Sequence, residues 1–214
     1  MRKALNGARN LITSGNSKSA ISLPLLEKIC AALSQLSLNH YNILLFKSMF
    51  LLAFYAFLRV GEFTESQGCS KNTIKIDQVK FKTKGKNVIG LFVLFKNFKH
   101  SKGKSFSLYI RAINSNFCPV LTLKQYINVR PVTNGPLFLF QDVKPVSASY
   151  FNTILKSCIM LAQGSNDNFS AHSLRIGAAS HCLSKGYTKD QIMKMGRWHS
   201  EAVVKYFKVQ SFTV

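Results

Sequence analysis

Residues 171–180 read Ala-His172-Ser-Leu-Arg175-Ile-Gly-Ala-Ala-Ser, and they are followed by Gly186-Tyr187, by Met195-Gly196-Arg197-Trp198-His199-Ser200 and by Tyr206. His172 and Arg175 stand three apart, so a helix places them on one face, where both can grip the same anion. The small and apolar residues after His172 continue that helix into a packed core. Arginine offers a planar fork that matches two phosphate oxygens and stays charged at any working pH. A phosphodiester under attack gathers charge on its non-bridging oxygens, and two such forks would stabilise it without a metal. A phenol is a weak nucleophile at a free pKa of about 10, so Tyr206 needs a neighbouring base or a strong positive potential. Taken singly, each residue has a plain structural reading. His172 reads as a cap or core histidine, Arg175 as a solvated helix cation and Trp198 as core. Tyr206 reads as packing with Val203, Val204 and Phe207 on an amphipathic helix. Their order in one short region favours chemistry on a nucleic-acid phosphate.

Upstream lies a matching piece. Residues 43–58, Ile-Leu-Leu-Phe-Lys-Ser-Met-Phe-Leu-Leu-Ala-Phe-Tyr-Ala-Phe-Leu, form a buried-helix pattern that runs into Arg59-Val60-Gly61-Glu62. An arginine there sits at the rim of the core. Complementing the helix C-terminus would be worth a few tenths to about 1 kcal/mol. That leaves Glu62 unexplained, three residues on, where it can brace the Arg59 guanidinium.

With these segments in view, the chain resembles the tyrosine recombinase (phage integrase) family. Leu58-Arg59-Val60-Gly61-Glu62 is similar to the family's first arginine box, and His172-Ser-Leu-Arg175 to its His-x-x-Arg box. Gly196-Arg197-Trp198-His199-Ser200 followed by Tyr206 resembles the end of its site. The Gly-Arg-Trp-x-Ser form, with Cys118-Pro119-Val120 and Arg130-Pro131 before it, is most similar to recombinases of eukaryotic mobile elements such as cryptons. The resemblance covers about residues 20–210. It implies that Arg59 and Arg175 clamp the scissile phosphate and that His172 serves proton transfer and hydrogen bonding. Tyr206 would form a 3′-phosphotyrosine and free a 5′-hydroxyl. Trp198 fits the second His-or-Trp position, where an indole N–H suffices as donor. The family takes its general acid from a hairpin lysine. In residues 93–109 Lys99 sits best, just before the turn, with Lys96, Lys102 and Lys104 as rivals and as DNA-backbone contacts. From Trp198 to Tyr206 is eight residues, one fewer than usual in bacterial and phage members, and counting from Arg197 restores nine. The donor position therefore falls to Trp198, His199 or Arg197, ranked in that order, with Arg197 also a DNA contact.

Composition fits the same partner, double-stranded DNA. The chain of 214 residues carries 29 Lys plus Arg against 8 Asp plus Glu, a formal charge of +21. That balance predicts a strong field and salt-dependent binding to a polyanion. Between Lys71 and Lys104 ten lysines face one acid, Asp77. Blunting a sheet edge is the other use of such lysines, but their number favours phosphate. Five cysteines at 30, 69, 118, 158 and 182 show no Cys-x-x-Cys, which fits a reduced setting and no zinc site. His181-Cys182 with His172 matches no metal-ligand spacing. No nucleotide-binding glycine loop appears, and transesterification conserves bond energy, so no cofactor or metal is expected. The N-terminus lacks a signal core and the 48–58 run is too short to span a bilayer. The expectation is an intracellular protein that avoids the membrane and is nuclear, or cytoplasmic if prokaryotic.

The fold expected is α+β, mainly helical with one small antiparallel sheet, which is also the architecture the resemblance implies. Helices are expected from Ser22 to about Leu36, with Ser22 as cap, at about 41–58, from Pro119 to before Pro131, from Val146 to Leu161, around His172, and at about 188–195 and 200–208. Two or three strands fall between about 74 and 110, with turns at Lys84-Gly85-Lys86 and Lys102-Gly103-Lys104. Residues 21–214 make the catalytic domain. Residues 1–20 read as the remnant of the helical core-binding domain that family members carry before it, so the chain is expected to lack that arm. Four functions remain in order: a site-specific recombinase or integrase domain; a type IB topoisomerase; a domesticated, catalytically idle DNA-binding protein from a mobile element; and a general RNA-binding protein. The resemblance also allows a homo-oligomer, a tetramer, on DNA.

Overall fold

Ser22 starts the first helix, α1 (Leu23–Ala32), by accepting a bond from the Leu25 N–H, with Pro24 in the first turn where no intrahelical donor is needed. A 3₁₀ turn over Leu33–Gln35 completes it. The computed structural model describes residues 18–65, 72–96, 98, 101 and 103–199. Asn39 caps α2 (His40–Tyr55) by accepting from the Asn42 N–H at 2.8 Å. Apolar residues occupy every face of α2, so it can be satisfied only at the centre, and Leu45, Phe46 and the whole run Met49–Phe54 are buried. Each such Leu or Phe contributes about 1.5–3 kcal/mol relative to exposure.

Three strands follow, β1 (Val79–Lys84), β2 (Asn87–Phe95) and β3 (Phe106–Arg111), in an antiparallel sheet of order β1-β2-β3. The remaining helices among the described residues are α3 (Pro119–Val129), α4 (Ala148–Gln163), α5 (Ala171–Ser184) and α6 (Lys189–Gly196). α3 and α5 pack on α2, α4 packs on α1, and the inner face of the sheet rests on α3. The expected α+β class, mainly helical with one small antiparallel sheet, is the observed one. The expected helix at 200–208 and residues 1–17 of the expected arm remnant lie outside the described residues. No helix among the described residues is long and apolar enough to cross a membrane.

Two local devices fix what surrounds the site. Arg130, 7% exposed, donates to the carbonyls of Leu137 (2.9 Å), Pro131 (2.7 Å), Thr133 (2.9 Å) and Pro136 (2.8 Å). It thereby staples the return from α3 and holds residues 135–137 against residues 74–76, where the Leu137 N–H donates to Ile74. The Ile74 N–H in turn donates to the Glu62 carbonyl at 2.8 Å, which locks the turn that carries Glu62. On the other side, the Ile21 N–H donates to Ser173 of α5 at 3.0 Å. Gly177 makes that approach possible, because a Cβ there would run into the Ile21 carbonyl.

Candidate active site

The ends of α2 and α6 meet, and both end in the same way. At α2 the Phe57 N–H donates to Phe54 and the Leu58 N–H to Ala53. At α6 the Arg197 N–H donates to Lys194 and the Trp198 N–H to Met193. These paired bonds form a Schellman motif, whose left-handed position glycine usually fills. Here Phe57 (φ 52°) and Arg197 (φ 56°) fill it. A left-handed non-glycine residue costs about 1–3 kcal/mol, so surrounding contacts must hold it.

Those contacts are the site. The turn of Phe57 aims its carbonyl at two guanidiniums: Arg175 Nη1 donates to it, and Arg197 Nη2 donates to it at 3.3 Å. Arg175 Nη2 donates to the Gly196 carbonyl, and Arg197 Nη1 to that of Ala56 at 3.2 Å. Glu62, 3% exposed, joins the arginines. Its carboxylate accepts from Arg197 Nη2 at 2.6 Å, from Arg59 Nη1 at 3.2 Å and from the Arg59 N–H at 2.9 Å. The expected bracing of Arg59 by Glu62 is therefore present as an ion pair. Rings complete the cluster. Arg175 lies over the Trp198 ring at 4.0 Å, Arg197 over Phe95 at 3.7 Å, and Phe57 meets Trp198 edge-on at 5.8 Å. Trp198 reaches Arg175 by folding back over Gly196, where a Cβ would run into the indole.

α5 supplies His172 and Arg175 from one face. Arg175 is 1% exposed, while His172 opens to solvent. Protein packed beside the imidazole, then the charges of Arg175 and Arg59, hold His172 below the usual histidine pKa. It is neutral at pH 7 and can accept a proton. Burial pulls the Arg197 guanidinium below its usual range, and Glu62 opposes that pull.

Arg59, Glu62, His172, Arg175, Arg197 and Trp198 thus gather in one place. Arg197, expected as a donor or DNA contact, is set inside the cluster. It is 4% exposed, and its guanidinium is held by Glu62 and main-chain carbonyls. A guanidinium in a dry core needs a carboxylate, and among the described residues Glu62 is the one that meets it. Lys96 is exposed, as expected of a DNA contact, but pairs with Asp77 at 2.8 Å. Lys104 is exposed beyond the end of β2. His199 follows Trp198 at the end of the described chain, and Lys99, Lys102 and Tyr206 lie outside the described residues. Sequence reasoning missed the main-chain acceptors Ala56, Phe57 and Gly196 and the Phe95 ring. A carbonyl carries no residue-type signal, and the turn that aims Phe57 lacks the glycine that would mark it.

The chain belongs to the phage integrase family: the family model matches residues 25–212. Among solved structures it is similar to the XerH site-specific recombinase bound to difH substrate in a pre-cleavage complex. There the identity is 16% and the TM-score 0.68, over 90% of this chain and 51% of that one. It is also similar to a lambda integrase dimer bound to a COC′ core site, at 14% identity and TM-score 0.63, over 94% and 51% of the two chains. A third similar structure is a Flpe–Holliday junction complex, at 15% identity and TM-score 0.58, over 95% and 54%. The fold is that of the tyrosine recombinase catalytic domain, and the chain spans about half the length of these proteins. No curated protein sequence matches it.

Proposed function

We propose that this chain is the catalytic domain of a site-specific DNA recombinase or integrase, acting on duplex DNA through a 3′-phosphotyrosine intermediate. The observation that carries the reading is the cluster of Arg59, Arg175, His172 and Trp198 around the ends of α2 and α6, within a chain of the phage integrase family. Arg59 presents its guanidinium at the edge of the cluster, with the side chain 28% exposed, and Glu62 holds its direction. A phosphate seated there meets Arg59 first, with His172 beside it. In the step proposed, the Tyr206 phenol loses its proton to a neighbouring base, for which neutral His172 is suited. The phenolate forms a bond to phosphorus, and the bond from phosphorus to the 5′-oxygen breaks. The leaving oxygen takes a proton from a hairpin lysine, with Lys99 first and Lys96, Lys102 and Lys104 as rivals. The reverse reaction with a new 5′-hydroxyl rejoins the strand, so the bond energy is kept.

The finer features extend this reading. The Gly196-Arg197-Trp198-x-Ser200 form favours kinship with recombinases of eukaryotic mobile elements, hence work in a nucleus. Assembly on DNA as a tetramer would bring two duplexes together.

A second reading, a domesticated DNA binder with an idle site, draws on Arg175. Both of its terminal nitrogens donate to main-chain carbonyls, and it is 1% exposed. Those bonds use two of its five N–H donors, and at that burial a phosphate would reach the others only if neighbouring residues moved aside. A nicked duplex separates the two readings. The recombinase yields a DNA-linked protein band that resists detergent, vanishes with protease and is lost in Arg59→Ala and Arg175→Ala. An idle binder shifts the duplex and yields no such band.

A further inference from the structure

The two faces of the sheet are chemically unlike. Val79, Phe81, Leu91, Val93, Phe95, Leu108 and Ile110 pack inward against the core, and Phe95 meets Arg197 there. The opposite face carries Lys80, Lys82, Phe92, Tyr109 and Arg111, all exposed. Strand register sets them in two rows: Lys80, Phe92 and Tyr109 align across the strands, and Lys82, Gly90 and Arg111 align in the next row. Neighbours within a row are about 4.8 Å apart, and the rows are about 7 Å apart along the strands.

The aromatic pair is laid open. Phe92 and Tyr109 are 38% and 41% exposed, with ring centroids 4.9 Å apart and a tilt of 42°. Gly90 lies under Tyr109, and a Cβ there would run into the phenol ring, so the ring lies down on the sheet. The Tyr109 hydroxyl donates to the Ile89 carbonyl at 3.3 Å, and Lys82 Nζ stands 5.6 Å from the ring centroid. Between Glu65 and Asp142 the sequence holds one acid, Asp77, and that one pairs with Lys96. Among the described residues, Lys80, Lys82 and Arg111 form no ion pair.

A partner must therefore offer negative charge and flat π surface together. A second copy of the chain offers aromatic rings but, at a formal charge of +21, repels the cations of this face. Paired duplex DNA offers phosphates, but its base faces are stacked inside. An unpaired strand offers both, and sheet-borne aromatic residues flanked by cations are a physical match for it. We propose that the outer face of this sheet binds an unpaired nucleic-acid strand, with bases stacked on Phe92 and Tyr109 and phosphates held by Lys80, Lys82 and Arg111. This surface lies on the side of the sheet away from Arg197 and is independent of the cleavage reading.

The test is fluorescence anisotropy with the full chain, using a short labelled oligothymidine strand and a labelled duplex. Phe92→Leu/Tyr109→Leu keeps apolar bulk and removes the rings, and a thermal melt reports that it stays folded. Single-strand affinity is expected to fall at least about tenfold, with duplex affinity kept within about twofold. Tyr109→Phe, which loses only the bond to Ile89, is expected to keep single-strand binding. Unchanged single-strand binding in the leucine variant would overturn the proposal. So would an equal loss for both DNAs, which would make the face part of the duplex surface. Loss in Lys80→Ala/Lys82→Ala/Arg111→Ala without loss in the leucine variant would also overturn it. That outcome would leave a charge-only surface that polyglutamate could equally occupy.

Discussion

Replacing Glu62 by alanine removes the one carboxylate that holds two guanidiniums together. Arg197 is the costly partner: its side chain is 1% exposed, that of Glu62 is 4%, and they meet at 2.6 Å. Removing one member of such a pair leaves an uncompensated buried charge, a loss of about 3–5 kcal/mol. The Arg59 arm adds little to that sum, since an ion pair 28% exposed on one side is screened by water. For a chain of this size each kcal/mol moves the melting temperature by about 2–4 °C, so Glu62→Ala should melt about 6–20 °C lower. Urea unfolding of the wild type, Glu62→Ala, Arg197→Met and the double variant closes the cycle. The double variant should lose clearly less than the sum of the two single variants, because Met fills the space with no charge to leave stranded. A melting shift below about 2 °C for Glu62→Ala, or additive losses, would refute the buried-pair account.

Gly177→Ala should destabilise even though alanine is worth about 1 kcal/mol more than glycine in a helix. Its Cβ meets the Ile21 carbonyl, and overpacking costs about 1–3 kcal/mol or more, so a raised urea midpoint would contradict the close packing of Ile21 on α5. Arg130→Met removes the donor from four carbonyls, of which Pro131 keeps the Thr133 N–H and Leu137 keeps the Tyr126 hydroxyl, and should cost about 2 kcal/mol by the same assay, whereas a surface arginine would cost almost nothing. Burial, then Lys185, also lowers the pKa of His181, so His172 and His181 both prefer to stay neutral in the fold. Their contribution is full above the unfolded pKa of about 6.5 and falls as the pH drops through it, because the unfolded chain takes up those protons first. His172→Gln/His181→Gln should accordingly flatten the fall of the urea midpoint between about pH 7.5 and pH 5, and an unchanged slope would count against the two shifts.

Where local chemistry decides, the sequence was legible. Ser22 caps as a short polar residue does, Lys84-Gly85-Lys86 turns between β1 and β2, and a run apolar on all sides makes the central helix. Legibility stopped where backbone and long-range charge decide. The α2 pattern suggests a helix through Leu58, yet the helix ends at Tyr55 because Phe57 turns left-handed, and no glycine marks the place. Arg197 reads as a DNA contact because a local pattern cannot show its carboxylate partner, 135 positions away. The grouping of Arg59, His172, Arg175 and Trp198 was readable from order and residue type. The placing of Arg175 beneath Trp198 depends on two helix ends whose meeting no spacing reveals.

The proposed attack of Tyr206 on a DNA phosphate is tested by peptide mapping, by mass spectrometry, of the adduct formed on a nicked duplex. One DNA-linked peptide is expected, which carries Tyr206 with a 3′-phosphate ester, together with a free 5′-hydroxyl on the released strand. The adduct should be absent in Tyr206→Phe. An adduct on another residue, or one that survives Tyr206→Phe, would contradict it, as would tight duplex binding that never yields an adduct.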